Sequence, residues 1–194
     1  MSLTVAITGG IACGKSVFSG FLTEAGCEVL DADDIVRQLQ APGGAALAPI
    51  REAFGNAVFD AEGRLDRAAL AAVVFADPSA RRRLEAIMHP LVREAFAAWR
   101  AKSSKRLRVA VIPLLFETGG QDDWPHITCL AVAPDVQIER LVKRGLSEEE
   151  ARARIRAQLP LSQKINRAHH VVWNNGTPDE LRRQAHQWIE KVTK

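Results

Sequence analysis

Short apolar runs alternate along this chain with segments whose apolar residues recur every three or four positions. LTVAI (Leu3 to Ile7) reads as a short buried strand, and KSVFSGFLTEA (Lys15 to Ala25) carries Val17, Phe18, Phe21 and Leu22 at helical spacing before Gly26. EVLDA (Glu28 to Ala32) predicts a second strand, and DDIVRQLQ opens a helix that ends before Pro42-Gly43-Gly44. LRVAVI (Leu107 to Ile112), HITCLAV (His126 to Val132) and HVVWN (His170 to Asn174) predict further strands, each apolar or β-branched and bounded by turn-forming residues. A last helix starts at TPDE, with Thr177 as cap, Pro178 in the first position and Glu180 closing a capping box. Strands that alternate with helices and are apolar on both faces predict an α/β fold of three layers, a parallel sheet between helices.

Two stretches break the alternation. From about Asp60 to Lys105 there is helix but no strand. DPSARRRLEA and HPLVREAFAAWRA each begin with or follow a proline, which predicts a helical insertion over 60–105. From 136 to 163 lies a second helical stretch, read as a lid. Ser147 and Glu150 form its capping box, and Arg140, Arg144, Arg152, Arg154 and Arg156 crowd it. The core then comprises 1–59, 106–135 and 164–194.

Between the first strand and first helix stands GGIACGKS, Gly9 to Ser16. It fits G-x-x-x-x-G-K-[ST] in the strand–helix context that this motif requires. Polyphosphate is anionic and is held by backbone N–H groups at close range. Glycines permit that approach, and the N-terminus of the following helix aims its unpaired N–H groups at the anion. Lys15 can reach the β- and γ-phosphates, and the Ser16 hydroxyl can ligate Mg²⁺. The loop therefore predicts a nucleoside triphosphate. Cys13 within it is either a small filler or a thiol activated by the helix N-terminus.

Composition changes this picture little. The chain has 194 residues, 47% of them hydrophobic and 25% charged, which suits one soluble domain of ordinary size. No apolar run approaches the ~20 residues of a membrane helix, and the first residues lack a signal-peptide layout. A net charge of +3 is too small to argue for nucleic acid. Three scattered cysteines argue against a disulfide framework or a zinc site, and for a reducing, cytoplasmic setting.

DADD (Asp31 to Asp34) lies at the end of the second strand, the carboxyl edge where ligands bind in doubly wound sheets. One carboxylate there can face the crevice and accept a hydroxyl proton while another caps the helix; both are equally readable as helix-start residues. The chain has no NKxD guanine motif, no LSGGQ signature and no G-x-G-x-x-G. A kinase for a small hydroxylated acceptor remains, with a non-catalytic nucleotide-binding regulator as the alternative from another class.

The chain resembles the dephospho-coenzyme A kinase family from Val5 to about Leu181. The residues that carry the resemblance are TGGIACGKS, DAD, PGG, FG with EGRLDRAAL, VFADP with RRRLEAIMHP, PLLFE, QIERLVKRG, ARIRAQLP with Lys164, and NNGT, in order and spacing. The resemblance implies a P-loop kinase core with a helical acceptor-binding insertion and a lid. It implies transfer of the γ-phosphate of ATP to the ribose 3′-hydroxyl of dephospho-coenzyme A, with Mg²⁺, by a monomer or weak homo-oligomer without nucleic acid or membrane. On it, Asp33 is the base, Lys15 and Ser16 hold phosphate and metal, and Arg140 neutralises charge on the transferring group. Gly9, Gly10, Ala12, Cys13, Gly14 and Val17 line the ATP loop, and Asn175 and Gly176 lie by the adenine. Arg154 and Gln158 match the pattern RI..Q, and Arg64, Asp66, Arg67 and His89 fall on the acceptor side. Each has a plainer alternative: lid arginines paired with Glu148 to Glu150, His89 ending a helix before Pro90, Asn175-Gly176 as a turn.

The chain also departs from the family pattern. Ala12-Cys13 stand for Gly-Ser, Val17 for Thr, Gly145 for a frequent Asp, and His169 for a common Asp. VAVIPLLFE offers no strand-end carboxylate for Mg²⁺, which leaves Ser16, phosphates, water and an acidic residue of the DAD segment as donors.

Overall fold

A computed structural model describes residues 3–102 and 107–194. Backbone contacts divide it into two compact units, Met1–Asp31 with Ser104–Lys194, and Ala32–Ser103.

The first unit is built on a five-stranded parallel sheet in the order β2-β3-β1-β4-β5. The strands are β1 (Leu3–Gly9), β2 (Glu28–Asp31), β3 (Leu107–Val111), β4 (Ile127–Ala131) and β5 (His170–Trp173). Register is set by pairs such as Val5 with Val109 and Ile7 with Thr128. Every residue of β3 and β4 is buried, so both faces of the sheet are covered, as the near-continuous apolar strands require. Helices α1 (Lys15–Glu24) and α9 (Pro178–Val192) pack together over Val5, Ile7, Val109 and Leu130. Phe18 and Trp188 meet there edge to face at 5.8 Å, and the Trp188 indole N–H donates to Thr128 Oγ1 at 3.0 Å. Helix α8 (Leu161–Arg167) lies against β1 and β4. Helices α6 (Pro134–Val142) and α7 (Glu148–Arg156) pack on each other through Leu141, Ala151, Ile138 and Ile155. Both capping boxes form, at Ser147–Glu150 and Thr177–Glu180.

The second unit is helical: α2 (Ala32–Leu39), α3 (Leu47–Phe54), α4 (Arg67–Ala76) and α5 (Pro78–Lys102). It begins at Ala32, whereas the sequence placed an insertion from about residue 60; the end expected near 105 lies outside the described residues. The physical reason is shared burial: Val36 and Leu39 of α2 and Ile50 of α3 pack in one cluster with Leu70 and Met88. A helix end at His89 is not observed. Helix α5 runs through Pro90 without a break, although proline supplies no N–H there. Ile87, Met88 and Leu91 on both sides of it belong to that same apolar cluster, and their burial holds the helix across the lost bond.

Candidate active site

The glycine-rich loop leaves the carboxyl end of β1, the central strand, and enters α1 at Lys15. Its shape is unusual backbone. Gly14 has φ +92°, and Ala12 has φ +61°, in the left-handed region that a Cβ disfavours. This gives a physical sense to the glycine that the resembling family carries at position 12.

Side chains from distant elements hold the loop. Lys15 Nζ donates to the carbonyls of Gly9 at 3.1 Å and Gly10 at 2.9 Å. Gln137 Nε2, from α6, donates to Ile11 O at 2.7 Å, and the Ile11 N–H donates to Gln158 Oε1 at 2.9 Å. Arg140 donates to Ala12 O at 3.4 Å and to Asn174 O at 2.8 Å. Asn174 Nδ2 donates to Cys13 O at 3.0 Å. So the structure brings Lys15, Arg140 and Gln158 to the loop. Gln137 and Asn174 were missed by sequence reasoning; both are buried. Gln137 lies one helical turn before Arg140, so the two share a face, and that spacing was the available signal.

Ser16 is exposed in the first turn of α1, and Val17 beside it is half exposed. Cys13 is fully buried, and burial outweighs the nearby Lys15 in pushing its thiol above the ordinary value. A buried neutral thiol is a filler, so the activated-thiol reading of Cys13 is set aside. At the exit of β5, Asn175 Oδ1 accepts from the Ala133 N–H at 2.8 Å, which ties the Asn175-Gly176 turn to the end of β4.

The carboxyl end of β3 carries no acid. Instead the carbonyl of Pro113 accepts from Thr8 Oγ1 at 3.3 Å and from Lys164 Nζ at 3.1 Å. Lys164 is completely buried and pairs with Glu117 at 2.6 Å, and Glu117 Oε1 also accepts from the Leu159 N–H at 3.0 Å. On the lid, Arg152 pairs with Glu148 at 2.6 Å along α7. His169 Nδ1 accepts from the Ile127 N–H at 3.1 Å.

In the helical unit, Asp33 lies in the first turn of α2, two residues past the end of β2, and Asp34 beside it pairs with Arg37. Asp66 is the N-cap of α4 and accepts from Ala68 N and Ala69 N at 2.9 and 3.0 Å. Arg64 closes the turn before it, with Nε on Asp60 Oδ2 at 2.8 Å and a further bond to Glu62 at 3.0 Å. Arg67 donates to the Arg37 carbonyl at 3.1 Å, and His89 sits inside α5.

A phosphate loop at the end of the central strand of a parallel 2-3-1-4-5 sheet, with an arginine-bearing helix held against it, defines a P-loop kinase. Comparison with known proteins narrows the class. The model of the dephospho-CoA kinase family matches residues 3–180. A dephospho-CoA kinase of Geobacillus kaustophilus is 44% identical over 188 residues, 95% of this chain and 94% of its own. A solved structure from Thermus thermophilus matches with a TM-score of 0.84 at 34% identity, over 100% of this chain and 99% of that one. The dephospho-CoA kinase from Campylobacter jejuni matches with a TM-score of 0.76 at 26% identity, over 100% and 98%. The chain belongs to the dephospho-CoA kinase family.

Proposed function

We propose that this chain transfers the γ-phosphoryl group of ATP to the ribose 3′-hydroxyl of dephospho-coenzyme A, giving coenzyme A and ADP. One observation carries the reading: the dephospho-CoA kinase family matches residues 3–180 of a chain whose glycine-rich loop carries Lys15 and is held by Arg140. The ribose oxygen forms a bond to the γ-phosphorus, the bond from that phosphorus to the β-phosphate oxygen breaks, and the hydroxyl proton passes to Asp33.

The loop from Gly9 to Val17 embraces the phosphates. Lys15 exchanges the carbonyls of Gly9 and Gly10 for β- and γ-phosphate oxygens. Arg140 offsets charge on the transferring group with a planar set of donors. Asn175 and Gly176 border the adenine. Arg154 and Gln158 act from the lid, Gln158 through its bond to the Ile11 amide. Arg64, Arg67 and His89 face the acceptor, and Asp66 serves that side by capping α4. The segments 60–105 and 136–163 act as acceptor-binding insertion and lid.

Mg²⁺ fits the donors at hand. Ser16 offers an exposed hydroxyl at the start of α1, and the described residues hold no cluster of three acidic, cysteine or histidine side chains that would cage an ion. Such a donor set suits an ion carried mainly by phosphates and water. When bound, Mg²⁺ neutralises charge that develops between the β- and γ-phosphates. The setting is cytoplasmic, in keeping with three free cysteines; no described helix is long and apolar enough to cross a membrane.

The test is an assay of ATP consumption with dephospho-coenzyme A and with other hydroxylated acceptors, with mass spectrometry of the product. A coenzyme heavier by one phosphate supports the reading. Hydrolysis of ATP that ignores the acceptor overturns it in favour of a regulator or ATPase.

A further inference from the structure

Five consecutive carbonyls of the loop, Gly9 to Cys13, each accept a hydrogen bond from a side chain. Three of them are served by Lys15 and Arg140, residues with work of their own on phosphate. The other two are served by neutral amides: Gln137 on Ile11 O at 2.7 Å and Asn174 on Cys13 O at 3.0 Å. We infer that Gln137 and Asn174 are positioning residues for the triphosphate, which aim the N–H groups of Ala12 and Gly14 by holding the carbonyls of the same two peptide units, those of Ile11 and Cys13.

A trans peptide is planar, with its C=O and the next residue's N–H on opposite sides. Fixing Ile11 O therefore directs the Ala12 N–H, and fixing Cys13 O directs the Gly14 N–H. The intervening peptides are turned otherwise: the Ile11 N–H donates to Gln158, and the Cys13 N–H to Gly10 O at 3.3 Å. The N–H groups of these intervening peptides are thus already engaged, whereas the peptides held by Gln137 and Asn174 present the Ala12 and Gly14 N–H groups.

Both donors are anchored. Gln137 is 4% exposed, in the first half of α6, and Asn174 is 5% exposed, one residue past β5. They hold the loop from two separate elements, while neither carries charge or a proton to transfer. The left-handed Ala12 lies between the two fixed carbonyls, so the donors also oppose relaxation of that residue toward ordinary φ.

This inference rests on the phosphate loop binding ATP, as proposed above, and the experiment separates the two. Gln137→Met keeps length without the donor, and Asn174→Ala removes the other amide; neither adds charge near phosphate. The ATP dissociation constant of each full-length variant is measured by calorimetry, beside its melting curve and its KM for dephospho-coenzyme A at saturating ATP. We expect ATP binding about 10-fold weaker in each, with the acceptor KM unchanged. A variant that binds ATP like the parent chain removes that residue from the role. Parallel loss of ATP affinity, acceptor KM and melting temperature makes the amides structural and overturns the inference. A parent chain that binds ATP yet never phosphorylates dephospho-coenzyme A overturns the reaction, and the inference is then decided by the ATP affinities alone. Should one variant not fold, the other decides.

Discussion

A Cβ built on Gly14 falls 2.2 Å from the amide nitrogen of Asn174. That nitrogen is fixed by its bond to Cys13 O, so it cannot swing aside without releasing the loop. Gly14 also has φ +92°, which an L side chain rarely adopts. Clash and strain act on one residue, and Gly14→Ala is expected to abolish measurable ATP binding while the protein still folds. Removing the Asn174 amide in the Gly14→Ala, Asn174→Ala double variant relieves only the clash, so it should not restore binding. Calorimetry with ATP on both variants checks this, and tight binding by Gly14→Ala would refute it.

Asp33 follows the sheet edge by two residues and opens α2. If it takes the ribose proton, Asp33→Asn keeps shape and loses the base. Turnover should fall by ~10²-fold or more with the ATP dissociation constant unchanged, the range usual for a positioned general base. Steady-state rates and calorimetry on the same preparation give both quantities. An unaltered rate would take Asp33 out of the chemistry.

The phosphate loop was legible because its residues are contiguous and flanked by a strand and a helix that can be recognised from pattern alone. The capping boxes at Ser147 and Thr177 were legible for the same reason: both partners lie within four residues. Gln137, Asn174 and Lys164 act on residues roughly fifty to a hundred and sixty positions away, and no local period records such a partner. Asn174 could be read only as the end of an apolar strand, and it lies one residue past β5. The continuation of α5 through Pro90 was hidden by a different cause. Local propensity there argues for a stop, and burial of Met88 and its neighbours overrides it. The division at Ala32 likewise depends on which helices share a core, which became visible only once Val36, Ile50 and Leu70 were seen together.

Lys164 is a cation with no exposed surface, held by Glu117 and the Pro113 carbonyl. Glu117 in turn accepts from the Leu159 N–H, next to the Gln158 that holds the Ile11 amide. Lys164→Met removes the cation and leaves a mostly buried carboxylate without its counter-charge. Breaking such a pair should cost ~3 kcal/mol of stability, whereas Lys164→Met with Glu117→Gln should recover much of it, because no uncompensated charge is left behind. Urea unfolding of the two variants and the parent measures this. Equal stability of the single variant and the parent would show that the pair carries no weight.

The three free cysteines differ in access. Cys13 and Cys129 are fully buried, and burial raises the thiol of the first and pushes that of the second up to about 12, with Cys13 adding to the shift. Cys27 is partly exposed, and partial burial raises its thiol as well. Alkylation of the folded protein followed by peptide mass spectrometry should therefore label Cys27 first, and the other two only in denaturant. Fast labelling of Cys13 in native buffer would reinstate an activated thiol in the phosphate loop.

His170 begins β5 and is held below its ordinary value of 6.5, first by partial burial and then by the positive charges of Lys191, His126 and His169 when these are protonated. Just below pH 6.5 the unfolded chain has protonated this histidine and the folded chain has not, so the unfolded state binds more protons and gains as pH falls. The contribution of His170 is harmless above that pH, grows as pH drops from 6.5 toward the folded value, and levels off once both states are protonated. His170→Gln should flatten this part of the curve, with a melting temperature that falls less between pH 7 and 5 than that of the parent chain. An NMR titration midpoint for His170 at or above 6.5, or identical pH slopes in the two proteins, would contradict it.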